Sequence, residues 1–342
     1  MIHATQKHVA QRAGVSRATV SYVLNEKSSP GVPISDETRR KVLEAVESLG
    51  YQPNVAARSL RSGRTYTIGV LMLDLHNPHF WQYLLGIEAE AHRHGYTIMV
   101  FHTALKRSEE NVALRELTKK SIDGAIVNAS YGIAGSDKSD ELASSGIPIV
   151  DLSTSDGSPF DHVACDYRSA TKELMSYLFT LGHRRFGLVY GVVNPQNGLD
   201  RLEPFREALA EEGLPPENGQ VVQCGPTQED AYKAAVKLLQ QRERPTAIVA
   251  INDFLAMSVL RAAADLGVRV PADLSVCGYD DIPFSQFVIP RLTTVRRETE
   301  RGGALAFRLL LERMNGKTGP VRFESTPASL QIRESTGPVP RE

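Results

Sequence analysis

Two periodicities divide this chain. Through about residue 51 apolar positions recur at helical spacing, and beyond residue 66 short apolar runs alternate with helical stretches. Three helices are read in the first part. The first runs from about Gln6 to Ala13, with Thr5 placed to cap it. The turn is Gly14-Val15-Ser16, and Ser16 can cap a second helix, Arg17 to Asn25. The third follows Ser35, carries Val42, Val46 and Leu49 on one face and ends at Gly50. Ala10 is small where two helices would cross, and Val15, Val20 and Val23 can fill the space between them. This spacing predicts a helix-turn-helix.

The remainder reads as strands at YTIGVLML, YTIMVFH, GAIVNAS, IPIVDLS, FGLVYG, VVQC, TAIVAI and LSVCGYD. Helical stretches lie between them, at 80–94, 109–120, 168–181, 201–212, 229–241, 254–266 and 299–315. Alternation of this kind builds βαβ units and parallel sheets. There are too many strands for one compact sheet. The fold class is therefore α/β: an all-α helix-turn-helix head, then two doubly wound lobes. Ligands of such lobes bind beyond the carboxyl ends of the strands. Polar residues gather there: Asp74, His76 and Asn77, Asn128 and Ser130, Asp151, Asn252 and Asp253, Asp280 and Asp281.

Charge sharpens the division. Residues 1–65 hold ten Lys and Arg against five Asp and Glu, whereas the rest holds 29 against 35. A basic head on a mildly acidic body points to a polyanionic partner for the head. No apolar run approaches the roughly 18 residues of a membrane span, and the first ten residues lack the apolar core of a signal peptide. No membrane association and a cytoplasmic location are expected. Cys165, Cys224 and Cys277 are scattered and odd in number, which fits buried thiols better than disulfides or a metal site. No metal or other cofactor is expected. An enzyme is disfavoured: dinucleotide, Walker, zinc-protease and nucleophile-elbow motifs are missing, and the G-K-T of NGKTG at 315–319 lacks the upstream glycine. His92 and His94 fall on different helix faces. A secreted solute-binding protein would explain the body but not the head.

A second helix of such a motif enters the DNA major groove by its N-terminal end. Its exposed residues would be Arg17, Ala18, Ser21 and Tyr22. Arg17 can donate twice to guanine, and Ala18 offers only a methyl. Ser16, Thr19 and Ser21 suit phosphate oxygens. In YQPNVAARSLRSGRT, residues 51–65, Asn54 can cap a short helix from Val55 to Leu60. Leu60, with Arg58 and Arg61 nearby, could wedge a base step from the minor groove, or the stretch could be a plain linker.

The stretches TQKHVAQRAGVSRATVSYVLN and SDETRRKVLEAVESLGYQPNVAARSLRSGRT resemble the DNA-binding head and hinge of the lactose-repressor (LacI/GalR) family. NEKSSPGVPISDET is longer than the usual connection there. The body resembles the family's periplasmic-binding-protein-like sensor, in NPHF, LGHRRFGLVYG, DRLEPFREAL, RPTAIVAINDFLAM, VRVPADLSVCGYDD and PRLTTVRRE. The resemblance implies a head at 1–51, a hinge at 52–65 and a sensor at 66–342. It implies an N-lobe of about 66–166 with 297–323 and a C-lobe of about 167–296 with 324–342. It adds Thr5, Asn25, Asn54 and Ala57 to the DNA-facing set. It places an effector on His79, Phe80, Asn128, Ser130, Asp166, Asn197, Arg201, Asn252, Asp253 and Asp280. Carboxylate, amide and guanidinium groups around an aromatic suit a sugar. Asp166 and Asp253 could equally cap helices, Arg201 and Asp280 could simply pair, and Phe80 could be core. The family's purine-sensing branch has an arginine and an aromatic at positions matching Pro195 and Pro226, which disfavours a purine here. The implied protein is a homodimeric repressor of double-stranded operator DNA, controlled by a small effector. The tail IRESTGPVPRE has no leucine heptads for a tetramer coil.

Overall fold

The computed structural model describes residues 4–24, 34–51, 63–117, 122–129, 137–152, 158–194 and 198–339. The chain divides into two compact units, Met1–Thr65 and Tyr66–Glu342.

In the first unit, α1 is Gln6–Ala13, α2 is Arg17–Leu24 and α3 is Asp36–Ser48. Local chemistry sets the boundaries. The Thr5 N–H donates to His8 Nδ1 at 3.3 Å. Gly14 turns left-handed at φ 67°, which closes α1. Ser16 Oγ accepts from the Thr19 N–H at 3.0 Å, and Ser35 caps α3 through Thr38. The core is small: Val9, Ala10, Val20, Val23, Val42, Ala45 and Tyr51.

The second unit holds two six-stranded sheets. Its strands are β1 Thr67–Met72, β2 Thr97–His102, β3 Gly124–Val127, β4 Ile149–Asp151, β5 Asp161–Cys165, β6 Phe186–Gly191, β7 Gly219–Cys224, β8 Ala247–Ala250, β9 Ser275–Asp280, β10 Thr293–Arg297, β11 Phe323–Thr326 and β12 Ala328–Gln331. The helices are α4 Pro78–Arg93, α5 Arg107–Leu117, α6 Asp137–Ser144, α7 Tyr167–Thr180, α8 Leu199–Glu211, α9 Gln228–Leu239, α10 Asp253–Asp265 and α11 Thr299–Met314.

The first sheet runs β11-β5-β4-β3-β1-β2 and is parallel throughout. The second runs β12-β10-β9-β8-β6-β7, with only β12 antiparallel. In each, the first strand is flanked by strands whose crossovers run opposite ways, at β1/β3 and β6/β8. That reversal opens a crevice at the strands' carboxyl ends. Strand β1 shows the side-chain period of two. Ile68, Val70 and Met72 pack with Ile87 and Phe307 on one face, while Leu71 packs with Leu114 and Leu117 on the other. Helices α4 and α11 cross with their backbones in close approach. A Cβ built on Gly86 would overlap the Glu300 carbonyl oxygen, and one on Gly303 the Tyr83 carbonyl oxygen.

Several elements differ from the sequence reading. Strands β5, β10, β11 and β12 and helix α6 were not anticipated. β11 is largely exposed, and β5 and β10 interleave His, Asp, Thr and Arg with apolar residues, so neither gives an apolar run. Helices begin one or two residues early because capping side chains start them: Asn77 before α4, Asp166 before α7, Asn252 before α10. The chain passes between sheets at Asp166, at Glu298 and at Pro327. The last lies beyond the expected 323/324 boundary because β11 hydrogen-bonds β5 through Thr326. No helix among the described residues is long and apolar enough to cross a membrane.

Candidate DNA-reading helix and ligand cleft

On α2 the helical period separates two faces. Val20 and Val23 are buried, while Arg17, Ala18 and Tyr22 are exposed and Ser21 is half-buried. Ser16 and Thr5 are exposed, and Thr19 Oγ1 lies 2.9 Å from Ser16 Oγ. The N-terminal end of α2 thus presents a guanidinium, a methyl and hydroxyls together. Asn25, Asn54, Ala57, Arg58, Leu60 and Arg61 lie outside the described residues.

A cavity of about 160 Å³ in the second unit opens between the carboxyl ends of the two sheets. His79, Phe80, Asn128, Arg201, Asn252 and Asp280 line it. Asn77 explains the first two. Its side chain accepts from the His79 N–H at 3.0 Å, Pro78 sets the first helical position, and the next two side chains enter the cleft. Asn252 likewise caps α10 at 2.8 Å from the Leu255 N–H. Arg201 lies in the first turn of α8, whose N-cap is Gly198 at φ 105°; a Cβ on Gly198 would lie 3.3 Å from Arg201 Nη2. Arg201 Nη1 donates to the Ile251 carbonyl at 2.9 Å, its Nε lies 3.3 Å from Asp200 Oδ1, and its guanidinium stacks 4.4 Å from the Tyr167 ring centre.

Asp253 and Asp166 fall elsewhere. Asp253 is fully buried inside the second lobe and accepts from the Ile282 N–H at 3.0 Å, Ser285 Oγ at 2.6 Å and Thr294 Oγ1 at 2.5 Å. Burial pushes its carboxyl well up, against the pull of those hydroxyls. It fixes the loop after Asp280 rather than facing the cleft. Asp166 is exposed and caps α7 through the Ser169 N–H at 3.0 Å. Ser130 and Asn197 lie outside the described residues, as does Pro195; Pro226 lines the cleft.

The sequence reading missed the centre of the site. Arg297, at the end of β10, is only 9% exposed. Its Nη1 donates to Tyr167 Oη at 2.5 Å and lies 3.1 Å from His79 Nε2, and its Nη2 donates to Tyr83 Oη at 2.6 Å. Tyr167 Oη donates to Asp280 Oδ1 at 3.2 Å. Burial, more than the nearby Arg297 and Arg201, lowers the His79 pKa to about 4, and Asp280 only partly opposes this. The imidazole is therefore neutral at pH 7. Asp280 holds φ at 101° and Asp281 at 50°, a backbone region that L-residues seldom occupy and that clusters at functional sites. The second of the two adjacent arginines in PRLTTVRRE was the available signal for Arg297. Among the described residues no cluster of His, Cys, Asp and Glu could hold a metal ion.

Comparison with known proteins decides the lineage. Residues 5–54 match the family described as bacterial regulatory proteins, lacI family, and residues 175–336 match a periplasmic binding protein-like domain. Catabolite control protein A of Priestia megaterium is 34% identical over 330 residues, covering 96% of this chain and 98% of that protein. The chain belongs to the lacI family of bacterial regulatory proteins. The HTH-type transcriptional repressor PurR of Edwardsiella ictaluri is 33% identical over 338 residues, 98% of each chain. Among solved structures, the Lac repressor dimer bound to operator and the anti-inducer ONPF matches with a TM-score of 0.83 and 27% identity, over 98% of this chain and 100% of that one. A lacI-family regulator from Enterococcus faecium with bound ribose matches with a TM-score of 0.71 and 29% identity, over 80% of this chain and 99% of that one. As a lacI-family member the chain is a DNA-binding transcriptional regulator with an effector-binding domain, not an enzyme.

Proposed function

We propose that this regulator is a homodimeric repressor whose hold on a pseudo-palindromic operator is set by a small sugar or sugar derivative in the cleft. The charge balance of the cleft carries the effector class. Each buried guanidinium has a carboxylate beside it, Asp200 for Arg201 and Asp280 at 3.8 Å for Arg297, and His79 is neutral. Asp74, which hydrogen-bonds the His76 ring, adds a further carboxylate to the lining, so no cationic surplus calls for an anionic ligand. Polar groups around the half-buried ring of Phe80 fit a polyol with one apolar face, and a structural neighbour holds ribose.

Dimerisation rests on exposed apolar side chains. β2 is an edge strand with Met99 and Val100 exposed, and neighbouring α4 exposes Trp81 and Leu85. On the second lobe, Phe287 is 82% and Ile289 95% exposed. Such clusters mark interaction surfaces, and a two-fold protein matches a two-fold operator. A regulator of this kind works where the chromosome is, in the cytoplasm.

A purine effector is the second reading, favoured by the PurR relatives and by Phe80 and Phe254 in the cleft. One experiment separates the two: thermal shift of the full chain with D-ribose, D-glucose, D-galactose, sugar phosphates, hypoxanthine and guanine. A ligand at 100 times its Kd adds about 2.7 kcal/mol, a shift of several degrees. A sugar hit that also changes operator retention supports the proposal. A purine hit overturns the effector class, and a monomer in sedimentation overturns the dimer.

A further inference from the structure

Arg297 joins the two lobes where the cleft meets the crossings of the chain. It is the last residue of β10 in the second sheet, one residue before the crossing at Glu298. Two of its hydrogen-bond partners stand on the other lobe. His79 and Tyr83 lie four residues apart on α4, so they share a face, and their rings meet edge to face at 5.2 Å. α4 carries no crossing and packs into the core of the first lobe through Tyr83 and Ile87. A guanidinium is a rigid fork of donors, and this one spans both acceptors. Nη2 donates to Tyr83 Oη at 2.6 Å and Nη1 to His79 Nε2 at 3.1 Å.

The second lobe holds the base of the fork. Nη1 also donates to Tyr167 Oη at 2.5 Å, and Tyr167 belongs to that lobe's core. The guanidinium carbon lies 5.6 Å from the Tyr83 ring centre and 4.7 Å from that of Tyr167. One cation is therefore shared by a ring of each lobe. All four side chains are buried. Rotation of the lobes about the crossings would pull the fork from Tyr83 and His79, and buried polar groups are costly to leave without partners. Every bond in this set is made between side chains of the chain itself.

We propose that Arg297 is a latch that holds the two lobes together across the cleft without help from a ligand. Bonds that an effector would otherwise have to supply between the lobes are built into the chain. An effector of any class then signals by binding another arrangement of the lobes better than this one, since a ligand moves an equilibrium only by its differential affinity.

The test is the distance between the lobes in the ligand-free full chain, read by double electron–electron resonance. Spin labels go on Ser108→Cys and Glu203→Cys, exposed positions shortly after Leu105 and Arg201, which line the cleft from the first and second lobes. Cys224→Ser leaves only the buried native thiols. Labelled protein is unfolded, washed free of metabolites, refolded and diluted into excess unlabelled protein, so that each dimer carries one labelled protomer. With Arg297 and both tyrosines intact, one narrow distance should appear. Arg297→Met should broaden it and lengthen it by several ångströms. Tyr83→Phe, which cuts a bond to the first lobe and keeps the ring, should do the same and decides the matter should Arg297→Met fold poorly. Tyr167→Phe, which cuts a bond inside the second lobe, should stay near the parent distance. A parent distance in both Arg297→Met and Tyr83→Phe would overturn the latch. Equal lengthening in Tyr83→Phe and Tyr167→Phe would overturn it too, by tracing the change to loosened packing, and so would a broad, long distribution in the parent itself.

Discussion

Arg313 grips Asp161 with both arms of its guanidinium, Nη2 to Oδ1 at 2.7 Å and Nε to Oδ2 at 2.9 Å. The pair ties the end of α11 to the start of β5, and Arg322 adds a third hold at 2.7 Å. Burial pushes the Asp161 carboxyl up, but the hydrogen bonds from Arg313 and Arg322 overcome it and bring the pKa to about 2. A folded pKa below the unfolded one stabilises above the unfolded value and loses that stabilisation as pH falls through the folded one. Unfolding stability should therefore drop by about 2 kcal/mol between pH 4 and pH 2 on this account. Asp161→Asn should cost about 3 kcal/mol at pH 7, since two arginines lose their shared partner. Urea titrations of both proteins at several pH values test this; an unchanged acid limb in the variant would show that Asp161 is not the group responsible.

Asp253 should behave as a structural acceptor. Asp253→Ala strands the hydroxyls of Ser285 and Thr294 and the Ile282 N–H, costing on the order of 3 kcal/mol. Asp253→Asn keeps one acceptor, and the Thr294 hydroxyl can rotate to accept from the amide, so its cost should be about half. Denaturant midpoints rank the two; equal losses would mean that packing, not hydrogen bonding, sets the value.

The crossing of α4 and α11 leaves no room for a side chain at Gly86. Gly86→Ala drives a methyl onto the Glu300 carbonyl and should cost about 1–3 kcal/mol. Gly95, with open space but a φ of 72°, is a control whose cost arises from backbone strain alone. A melting point for Gly86→Ala equal to wild type would show that the helices can part freely.

Arg17→Ala should weaken operator binding by about 1–3 kcal/mol and relax preference at one base of each half-site. Operator variants titrated at fixed salt read this directly. Equal weakening on every sequence would make Arg17 a phosphate contact.

Asp280→Ala should abolish the effector's influence on operator binding and leave operator affinity without effector near wild type. Retained response in an operator-release assay would remove Asp280 from recognition.

The pattern of the chain carried the architecture further than it carried the site. Helix caps at Ser16 and Ser35 are local signals, legible because a side chain meets a backbone three residues away. Strand ends are equally local, so Asn128 and Asp280 could be placed on the cleft, whereas Arg201, on a helix, was placed there by the family resemblance. Whether an acid at such an end faces the cleft or the core is decided by partners far off in sequence. Asp253 turned inward because Ser285 and Thr294 lie 32 and 41 residues away. Arg297 escaped notice for the same reason: its partners Tyr167, Tyr83 and His79 are 130, 214 and 218 residues distant, and Tyr83 on a helix reads as ordinary core.

The late position of β11 has a consequence for synthesis. The first lobe begins at Tyr66, yet its sheet closes only when Phe323–Thr326 pairs with β5, and its core awaits Phe307 and Leu310 of α11. The second lobe lacks only β12 once Arg297 has been made. Domains usually fold in the order in which the ribosome delivers them. Here the lobe translated first must wait for the other to be delivered, holding exposed apolar strands through some 130 residues of elongation, several seconds or more at about 5–20 residues per second. Chaperone demand during translation should fall on β1 to β5.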